Sequence, residues 1–288
     1  MSRLILASCI LIFVVANCYA GNSVSVVDFG ESETGKTVAE KVRAQFRTAR
    51  DLLVADADLT RSAAMGVGYA GSLNLTLGEA RDLGAALATD FYLLGDTRVL
   101  RRSSFDKPVY FEAYCSVFLV SSRTGRLLMW DRPSFNNDDA SKAYELLLQR
   151  LPDLSGTLVT AMRRASEDER LERTLIPTSP PPLIEDAPDD EKAAAAQGLR
   201  LPRPYKRMRP EYPQSAALAE AEATVDVSVD VGADGEVGDV QIVRWAGFGL
   251  DQSTLATVRQ LHFFPAMKNG TAIPMRVLLR YNFRKPPR

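Results

Sequence analysis

The residues best suited to chemistry lie near the amino terminus, where the sequence fits the P-loop expression from Gly30 to Thr37. This segment stands between a predicted strand and a predicted helix, so its backbone amides and Lys36 are candidates for holding phosphate groups. Glu31 and Glu33, however, place two carboxylates where a polyphosphate would lie. The pattern therefore favours an ordinary helix start, and a phosphate-binding enzyme is kept as an alternative.

Two other patterns are weaker. Residues 66–71 fit a dinucleotide fingerprint by their letters alone, because no clear strand precedes them and no helix follows at once, which is typical of a loop. Arg98, Arg101 and Arg102 form a small basic cluster. This cluster is interpreted as a solvated strand end, with an anion or partner contact as the alternative.

The remaining reactive side chains are isolated. Cys115 lies in the middle of a predicted strand, and it is interpreted as a small buried hydrophobic residue. His262 precedes two phenylalanines, which favours a packed ring, and the sequence offers no second His or paired Cys as a metal ligand. The sequence therefore predicts no catalytic residue, no metal site and no cofactor.

Composition excludes one class of partner. The chain has 288 residues, with 35 basic and 36 acidic side chains. This balance gives no general electrostatic attraction for nucleic acid. The length suits about two domains.

Residues 1–20 are typical of an export signal. Arg3 provides the charge, an apolar run follows, and Ala20 ends a small-residue cleavage site. We expect cleavage before Gly21 and a periplasmic protein. An uncleaved membrane anchor and a lipoprotein linked through Cys18 are the alternatives.

The sequence predicts an amino-terminal α/β domain over residues 21–170. Strand and helix patterns alternate first, and three β-like runs joined by short polar segments then indicate an antiparallel meander. A helical pattern closes the domain, and Pro152 is interpreted as a break or a first-turn position. The predicted strands are 24–29, 52–55, 91–101, 109–122 and 126–131, and the predicted helices are 34–49, 77–87 and 140–165.

Residues 171–206 are rich in proline and small or charged residues, which predicts an extended linker. A proline-rich chain extends by about 3.1 Å per residue, so this segment is long enough to hold two domains tens of Å apart.

Residues 207–288 predict a small sheet. Four valines alternate with polar residues over 225–231, a turn follows at Gly235, and a second strand completes a hairpin over 224–244. A short helical pattern begins near Asp251, and a final apolar strand runs over 273–283.

This last third resembles the carboxy-terminal domain of TonB-type energy transducers over roughly residues 207–286. The resemblance is carried by several spaced elements. They are the segment 209–213, the hairpin residues 230–244, the triplet 249–251, the segment 262–274 and the closing residues 280–283. It implies a small sheet packed on two helices, which docks a peptide of an outer-membrane receptor by strand addition.

The amino-terminal domain resembles, more loosely, the periplasmic α/β domains of TolB amino-terminal and CsgG-type assembly proteins. That resemblance is carried by residues 26–30 and 78–96 and the hairpin that follows. It implies an assembly or scaffolding role at the cell envelope.

The expected binding surface combines the edge of the last strand with the segment 209–213. Its candidate partner-binding residues are Arg209, Pro210, Tyr212, Pro213, Arg276 and Arg280. The arginines offer charge, Tyr212 an aromatic platform, and the prolines an extended backbone. The alternative for Tyr212 and Pro213 is that they pin a helix onto the sheet.

The fold class expected for the whole chain is α+β. The expected function is that of a non-enzymatic envelope protein that binds an outer-membrane receptor or assembly component, with energy transduction to outer-membrane transport as one form of it. Transducer anchors of this type carry a membrane-embedded His, whereas the single His262 lies far from residues 1–20. An assembly scaffold that uses the carboxy-terminal domain for oligomer contacts is the alternative.

Overall fold

The computed structural model describes residues 22–105, 108–175, 184–188, 190–196 and 198–285. Residues 1–20, the predicted export signal, lie outside these described ranges, as does part of the predicted linker. No helix in the described ranges is long and apolar enough to cross a membrane.

The amino-terminal domain is a mixed sheet with helices on both faces. Its elements are β1 Asn22–Val26, α1 Glu33–Phe46, β2 Leu52–Val54, α2 Ala57–Gly66, α3 Leu77–Leu87, β3 Phe91–Arg102, β4 Tyr110–Ser121, β5 Leu127–Asp131, β6 Ser134–Asn137 and α4 Ala140–Thr174. β1 is parallel to β2 and β3, and the remaining pairs are antiparallel, in the order β2-β1-β3-β4-β5 with β6 also on β4. The predicted antiparallel meander and the α+β class are therefore confirmed.

Helix α4 differs from the sequence prediction because it runs through Pro152 without ending. The proline ring lies on the exposed side, so it displaces no core residue. On the opposite side Leu147, Leu151, Leu154 and Leu158 are buried against the sheet on both sides of the proline. This continuous apolar stripe outweighs the loss of one backbone hydrogen bond.

The two faces of this sheet have different covers. Helices α1 and α4 cover the face that contains Val24, Val117 and Leu119. The other face contains Tyr92, Phe118 and Val120, and only part of it is covered by α2 and α3. The rest of that second face is available to another element.

The elements of the carboxy-terminal domain are β7 Glu185–Asp186, α5 Glu191–Ala196, β8 Leu199–Arg200, β9 Arg203–Pro204, α6 Gln214–Ala219, β10 Ala223–Val231, β11 Val237–Arg244, α7 Leu250–Val258, β12 Phe263–Phe264, β13 Ala266–Lys268, β14 Thr271–Ile273 and β15 Met275–Phe283. Its main sheet has the order β11-β10-β15-β7, in which β10 and β11 form the predicted hairpin and β10 also pairs with β15. The core lies between this sheet and helices α6 and α7, around Val227, Val229 and Leu250. The predicted small sheet with helices is confirmed.

Part of the predicted linker is folded onto this domain. β7 pairs with β15, β8 pairs with β13, and β9 pairs with β12. Ala194 and Leu199 are buried with Ala266 and Met275 in a small cluster of their own. The described residues between 184 and 206 therefore wrap the carboxy-terminal domain instead of spanning a gap.

Candidate functional site

The last strand, β15, forms most of one edge of the carboxy-terminal sheet. Over its full length it pairs with β10 on one side. On its other side only Met275 and Arg276 pair, in parallel with β7, and in the described part of the chain no strand pairs with residues 277–283 on that side.

The direction of the free backbone groups follows from one hydrogen bond. The carbonyl of Arg276 accepts the amide of Ala187 at 2.7 Å, so it points away from β10. Because backbone groups alternate in direction along a strand, Leu278, Arg280 and Asn282 also present their N–H and C=O groups outward. The outer edge of β15 is thus a row of main-chain donors and acceptors.

The solvent face of this edge is organised by two ion pairs. Arg276 donates two hydrogen bonds to Asp230, at 2.6 and 2.9 Å, and Arg280 donates two to Asp226, at 2.7 and 3.0 Å. Arg244 adds a third donor to Asp226 at 3.3 Å. Bidentate pairs of this kind fix the planes of both guanidinium groups.

The pKa values of Asp226, Arg276 and Arg280 are shifted in the directions that favour their charged forms. Burial by itself raises the pKa of the Asp226 carboxyl, but the hydrogen bonds and charges of Arg280 and Arg244 outweigh burial and leave this pKa below its usual value. The hydrogen bonds to the same carboxylates raise the pKa of Arg276 and of Arg280. The face therefore keeps its ion pairs at neutral pH.

Two of the predicted partner-binding arginines, Arg276 and Arg280, thus have partners inside the domain. Asp226 is opposite Arg280 and Asp230 is opposite Arg276 in the β10–β15 register. Both arginine side chains remain exposed, by 43% for Arg276 and 58% for Arg280, so they are still accessible to a ligand. The equal four-residue spacing of the two Asp and the two Arg is a sequence signal of this pairing.

The segment 209–213 lies at the far end of β15. The Tyr212 ring is 6.4 Å from the Phe283 ring, between centroids, and the Tyr212 hydroxyl donates to the carbonyls of Ala221, at 2.7 Å, and Ala216. Pro213 precedes α6 as its N-cap residue. Tyr212 and Pro213 therefore hold α6 against the sheet.

The other two members of that segment are less engaged. Arg209 is exposed and Pro210 is half-buried. The structure thus brings Tyr212 to one end of β15 and Arg276 to the other, and it does not gather the six predicted residues into one patch.

The P-loop-like segment forms the start of a helix, and two of its amides are paired within that helix start. Helix α1 begins at Glu33, before Lys36, and Ser32 caps it by accepting the Gly35 amide. The Lys36 amide donates to the Ser32 carbonyl at 3.0 Å, and the Lys36 ammonium contacts Glu33. A Cβ at Gly35 would collide with the Phe29 carbonyl, so close backbone packing accounts for this glycine.

The isolated reactive residues have structural environments. Cys115 is fully buried, and burial raises the pKa of its thiol to about 12. His262 is exposed and lies 3.0 Å from Glu236. No group of three or more potential metal ligands is assembled within the described ranges.

The predicted basic cluster is partly used for contacts between the domains. Arg98 pairs with Asp96 on its own strand. Arg102 pairs with Glu112 at 2.9 Å and lies 3.6 Å from Glu220 of the carboxy-terminal domain.

Residues 244–249 of the carboxy-terminal domain pack against the amino-terminal domain, and we call them the docking loop. The sequence analysis does not identify this segment. Its Trp245 is 2% exposed and is buried among Leu75, Tyr92 and Phe118 of the amino-terminal domain. The Trp245 indole N–H donates to the Gly125 carbonyl at 3.0 Å. Trp245 therefore completes the cover of the second face of the amino-terminal sheet.

Phe248 and Gly247 make further contacts that hold the docking loop against the amino-terminal domain. Phe248 meets Phe118 edge-on, with ring centroids 5.4 Å apart, and Trp130 at 5.5 Å. A Cβ at Gly247 would lie 2.5 Å from the Phe118 ring, so only glycine fits this contact. Two aromatic residues among small ones, at 245–249, are the sequence signal that could have indicated a docking loop.

Hydrogen bonds fix the orientation of the two domains. The Asn74 side chain donates to the carbonyls of Thr224 and Trp245, at 2.8 and 2.6 Å, and accepts the Thr224 amide at 3.0 Å. The Arg244 side chain donates to the Asn74 carbonyl at 3.0 Å. These directional contacts make the arrangement of the domains specific.

The docking loop is held from within its own domain by a buried carboxylate. Asp251 accepts the amides of Ala246, at 2.9 Å, and Gly247, at 2.8 Å. Burial raises the pKa of Asp251 to about 6, against the lowering effect of those two amides. Asp251 thus links the start of α7 to the loop that carries Trp245.

Comparisons with known proteins agree with the resemblance of the last third. Residues 208–284 match the family model described as Gram-negative bacterial TonB protein C-terminal. Protein TonB of Klebsiella aerogenes is 32% identical over 81 residues, which are 28% of this chain and 33% of that protein. The chain therefore spans about a third of the length of this curated relative.

Solved structures are also similar to parts of the chain. The TonB carboxy-terminal domain of Pseudomonas aeruginosa has a TM-score of 0.27 and 20% identity, and the match covers 30% of this chain and 89% of that one. The hypothetical protein CT253 of Chlamydia trachomatis has a TM-score of 0.34 and 11% identity, covering 48% and 98%. A PelC dodecamer structure from Paraburkholderia phytofirmans has a TM-score of 0.30 and 14% identity, covering 49% and 90%.

Proposed function

We propose that this chain, whose residues 208–284 are a TonB C-terminal domain, is a non-enzymatic cell-envelope protein that binds an extended peptide of an outer-membrane receptor or envelope assembly protein. The observation that carries the proposal is the row of outward-facing main-chain groups along residues 277–283 of β15. An edge of this kind accepts one further strand through main-chain hydrogen bonds.

The side chains beside that edge give the site its selectivity. Leu278 is 59% exposed and lies between Arg276 and Arg280 on the solvent face. An incoming strand would therefore place one apolar side chain beside Leu278 and polar or acidic ones beside the arginines. Because Asp226 and Asp230 already neutralise the arginines, main-chain hydrogen bonds supply most of the affinity for the peptide. The charges of the arginines determine the register in which the peptide pairs with β15.

We propose a periplasmic location, reached through cleavage of residues 1–20. The apolar run and Ala20 support export.

A second candidate is an assembly scaffold in which the TonB C-terminal domain serves as a fixed contact surface, including contacts between copies of the chain. The docking of Trp245 into the amino-terminal domain favours it. A domain that is held in this way does not move independently of the amino-terminal domain. The described residues between 184 and 206 pair with the carboxy-terminal domain instead of forming an extended linker.

A single substitution on the edge tests the peptide-binding proposal. Leu278→Pro removes an N–H that points away from β10, so the β10 ladder is retained while strand addition is blocked. Leu278→Ala removes the same side chain and keeps the N–H, which makes it the matched control.

The experiment uses residues 21–288 as bait in envelope extracts, followed by mass spectrometry and photo-crosslinking from position 282. Capture of an outer-membrane or assembly protein by the native chain and by Leu278→Ala, with loss in Leu278→Pro, supports strand addition. Equal capture by all three proteins refutes it. Crosslinks only between copies of the chain support the scaffold instead.

A further inference from the structure

One end of the β15 edge is occupied by the chain itself. β7 pairs in parallel with β15, with Glu185 opposite Met275 and Asp186 opposite Arg276, and the Ala187 amide donates to the Arg276 carbonyl at 2.7 Å. These are the contacts that a docked peptide would make on the same edge.

Side chains at both ends of this short strand hold it in place. Ile184 lines a shallow groove beside Asp230 and Arg276. Ala187 packs against the small cluster that contains Met275, and Glu185 lies 3.6 Å from Lys268.

The sequence also limits the length of this strand. Pro188 follows Ala187 directly and has no N–H, so pairing ends there. Proline again stands at 182, two residues before Ile184. The pairing is therefore restricted to about two positions, which is a short contact that can open locally without unfolding the domain.

We propose that residues 184–187 are an internal strand that fills the first two positions of the peptide-binding edge and so sets where a partner's strand begins to pair. This inference rests on the proposed peptide-binding function. A partner strand that pairs with residues 277–283 binds beside the internal strand. One that reaches Met275 must displace it, against a tethered competitor whose effective concentration is on the order of millimolar.

The contact is tested in the exported chain, residues 21–288, by Ala187→Pro, which removes the N–H that binds Arg276. Ala187→Ser keeps that N–H and is the matched control. In ¹H–¹⁵N NMR spectra we expect the Arg276 and Val277 signals to move in Ala187→Pro alone. Hydrogen exchange of the Arg276 amide, which also faces β7, should accelerate about tenfold there. Unchanged exchange in Ala187→Pro would overturn the inference.

A synthetic peptide of residues 182–190 tests whether the position is filled in the native protein. Added to Ala187→Pro, the peptide should return the Arg276 signal towards its native position, because it carries the missing amide. Added to the native chain or to Ala187→Ser, it should cause no shift, because the tethered strand already occupies the edge. Equal binding to the native chain would show a vacant edge and overturn the inference.

A second variant covers the case in which Ala187→Pro loses its dispersed spectrum. Ile184→Asp replaces the apolar side chain at the other end of the strand, in the groove that Asp230 also lines, with a second carboxylate, and the same shift at Arg276 is expected. A folded Ile184→Asp protein with the native Arg276 signal would count against the internal strand. None of these measurements uses Leu278, so failure of the internal strand and failure of peptide capture at Leu278 are separate results.

Discussion

Trp245→Ala is expected to release the TonB C-terminal domain from the amino-terminal domain. Trp245 is 2% exposed, stacks on Phe118 with centroids 5.9 Å apart, and donates to the Gly125 carbonyl. Removal of a buried aromatic side chain of this size costs about 3–5 kcal/mol, including the cavity that it leaves. Because Trp245 makes these contacts across the domain interface, the cost falls on docking, and the docking equilibrium constant should drop by a factor of about 100 or more.

Two measurements separate undocking from unfolding. Small-angle X-ray scattering reports the overall size, and a compact chain of this length has a radius of gyration of about 18 Å. We expect an increase of several Å in Trp245→Ala, together with a fall in the thermal midpoint of about 6 °C or more. The far-ultraviolet circular dichroism spectrum should be retained, since each domain has its own core.

Two control variants locate the effect. Phe264→Ala truncates an aromatic side chain that is 56% exposed and whose ring lies tilted against Tyr205 of its own domain, so the cost should be below about 1.5 kcal/mol with no change in size. Trp245→Phe keeps an apolar ring but loses the N–H donor, at a cost of about 1–3 kcal/mol. A Trp245→Ala protein with the native radius of gyration and thermal midpoint would refute the proposed role of this side chain.

Three further outcomes follow from the environments of single residues. Because burial raises the pKa of Asp251 to about 6, its contribution to the free energy of unfolding is present below the unfolded-state pKa of about 4 and is lost as pH rises through about 6. The thermal midpoint measured from pH 4 to 8 should therefore fall across that window more in the native chain than in Asp251→Asn, and parallel profiles would contradict the assignment. Cys115 should resist thiol reagents at pH 8 in the folded chain and react only in denaturant, because burial raises the pKa of its thiol to about 12; rapid labelling of the native protein would be the adverse result. Lys36→Ala should leave the free energy of unfolding within about 0.5 kcal/mol of the native value. Calorimetry with ATP and magnesium should detect no binding to either protein, whereas micromolar binding that the substitution abolishes would restore the phosphate-site hypothesis.

Patterns local to one or two strands could be predicted from the sequence. The alternating valines at 225–231 determine which face of β10 is buried, since a strand has a period of two. The turn residues place β11 beside it. The spaced residues of 209–283 carry the family resemblance, and the match of residues 208–284 to the family model confirms it. The P-loop letters were correctly read as a helix start, because a cap by Ser32 is a local contact.

Other features depend on contacts between distant parts of the chain. Helix α2 was not predicted, and α4 continues through Pro152 because buried leucines on both sides of it pack on a sheet formed much earlier in the sequence. The ion pairs of Arg276 and Arg280 depend on a register between strands about 50 residues apart, so a sequence scan offers them as free charges.

The sequence by itself determined the main strands of both sheets, most of the longer helices and the last strand as a candidate edge, because hydrophobic periodicity and turn residues act over a few positions. Only the tertiary structure decided that the domains are docked and that β7 fills part of the edge. Trp245 packs against Leu75 and Phe118 across more than 120 residues of chain. The aromatic and small residues at 245–249 are a local signal of a docking loop, but apolar contacts are non-directional, so that signal does not identify the surface that Trp245 contacts. β7 pairs through main-chain groups that every non-proline residue carries, so its composition indicates an extended segment but not the partner strand.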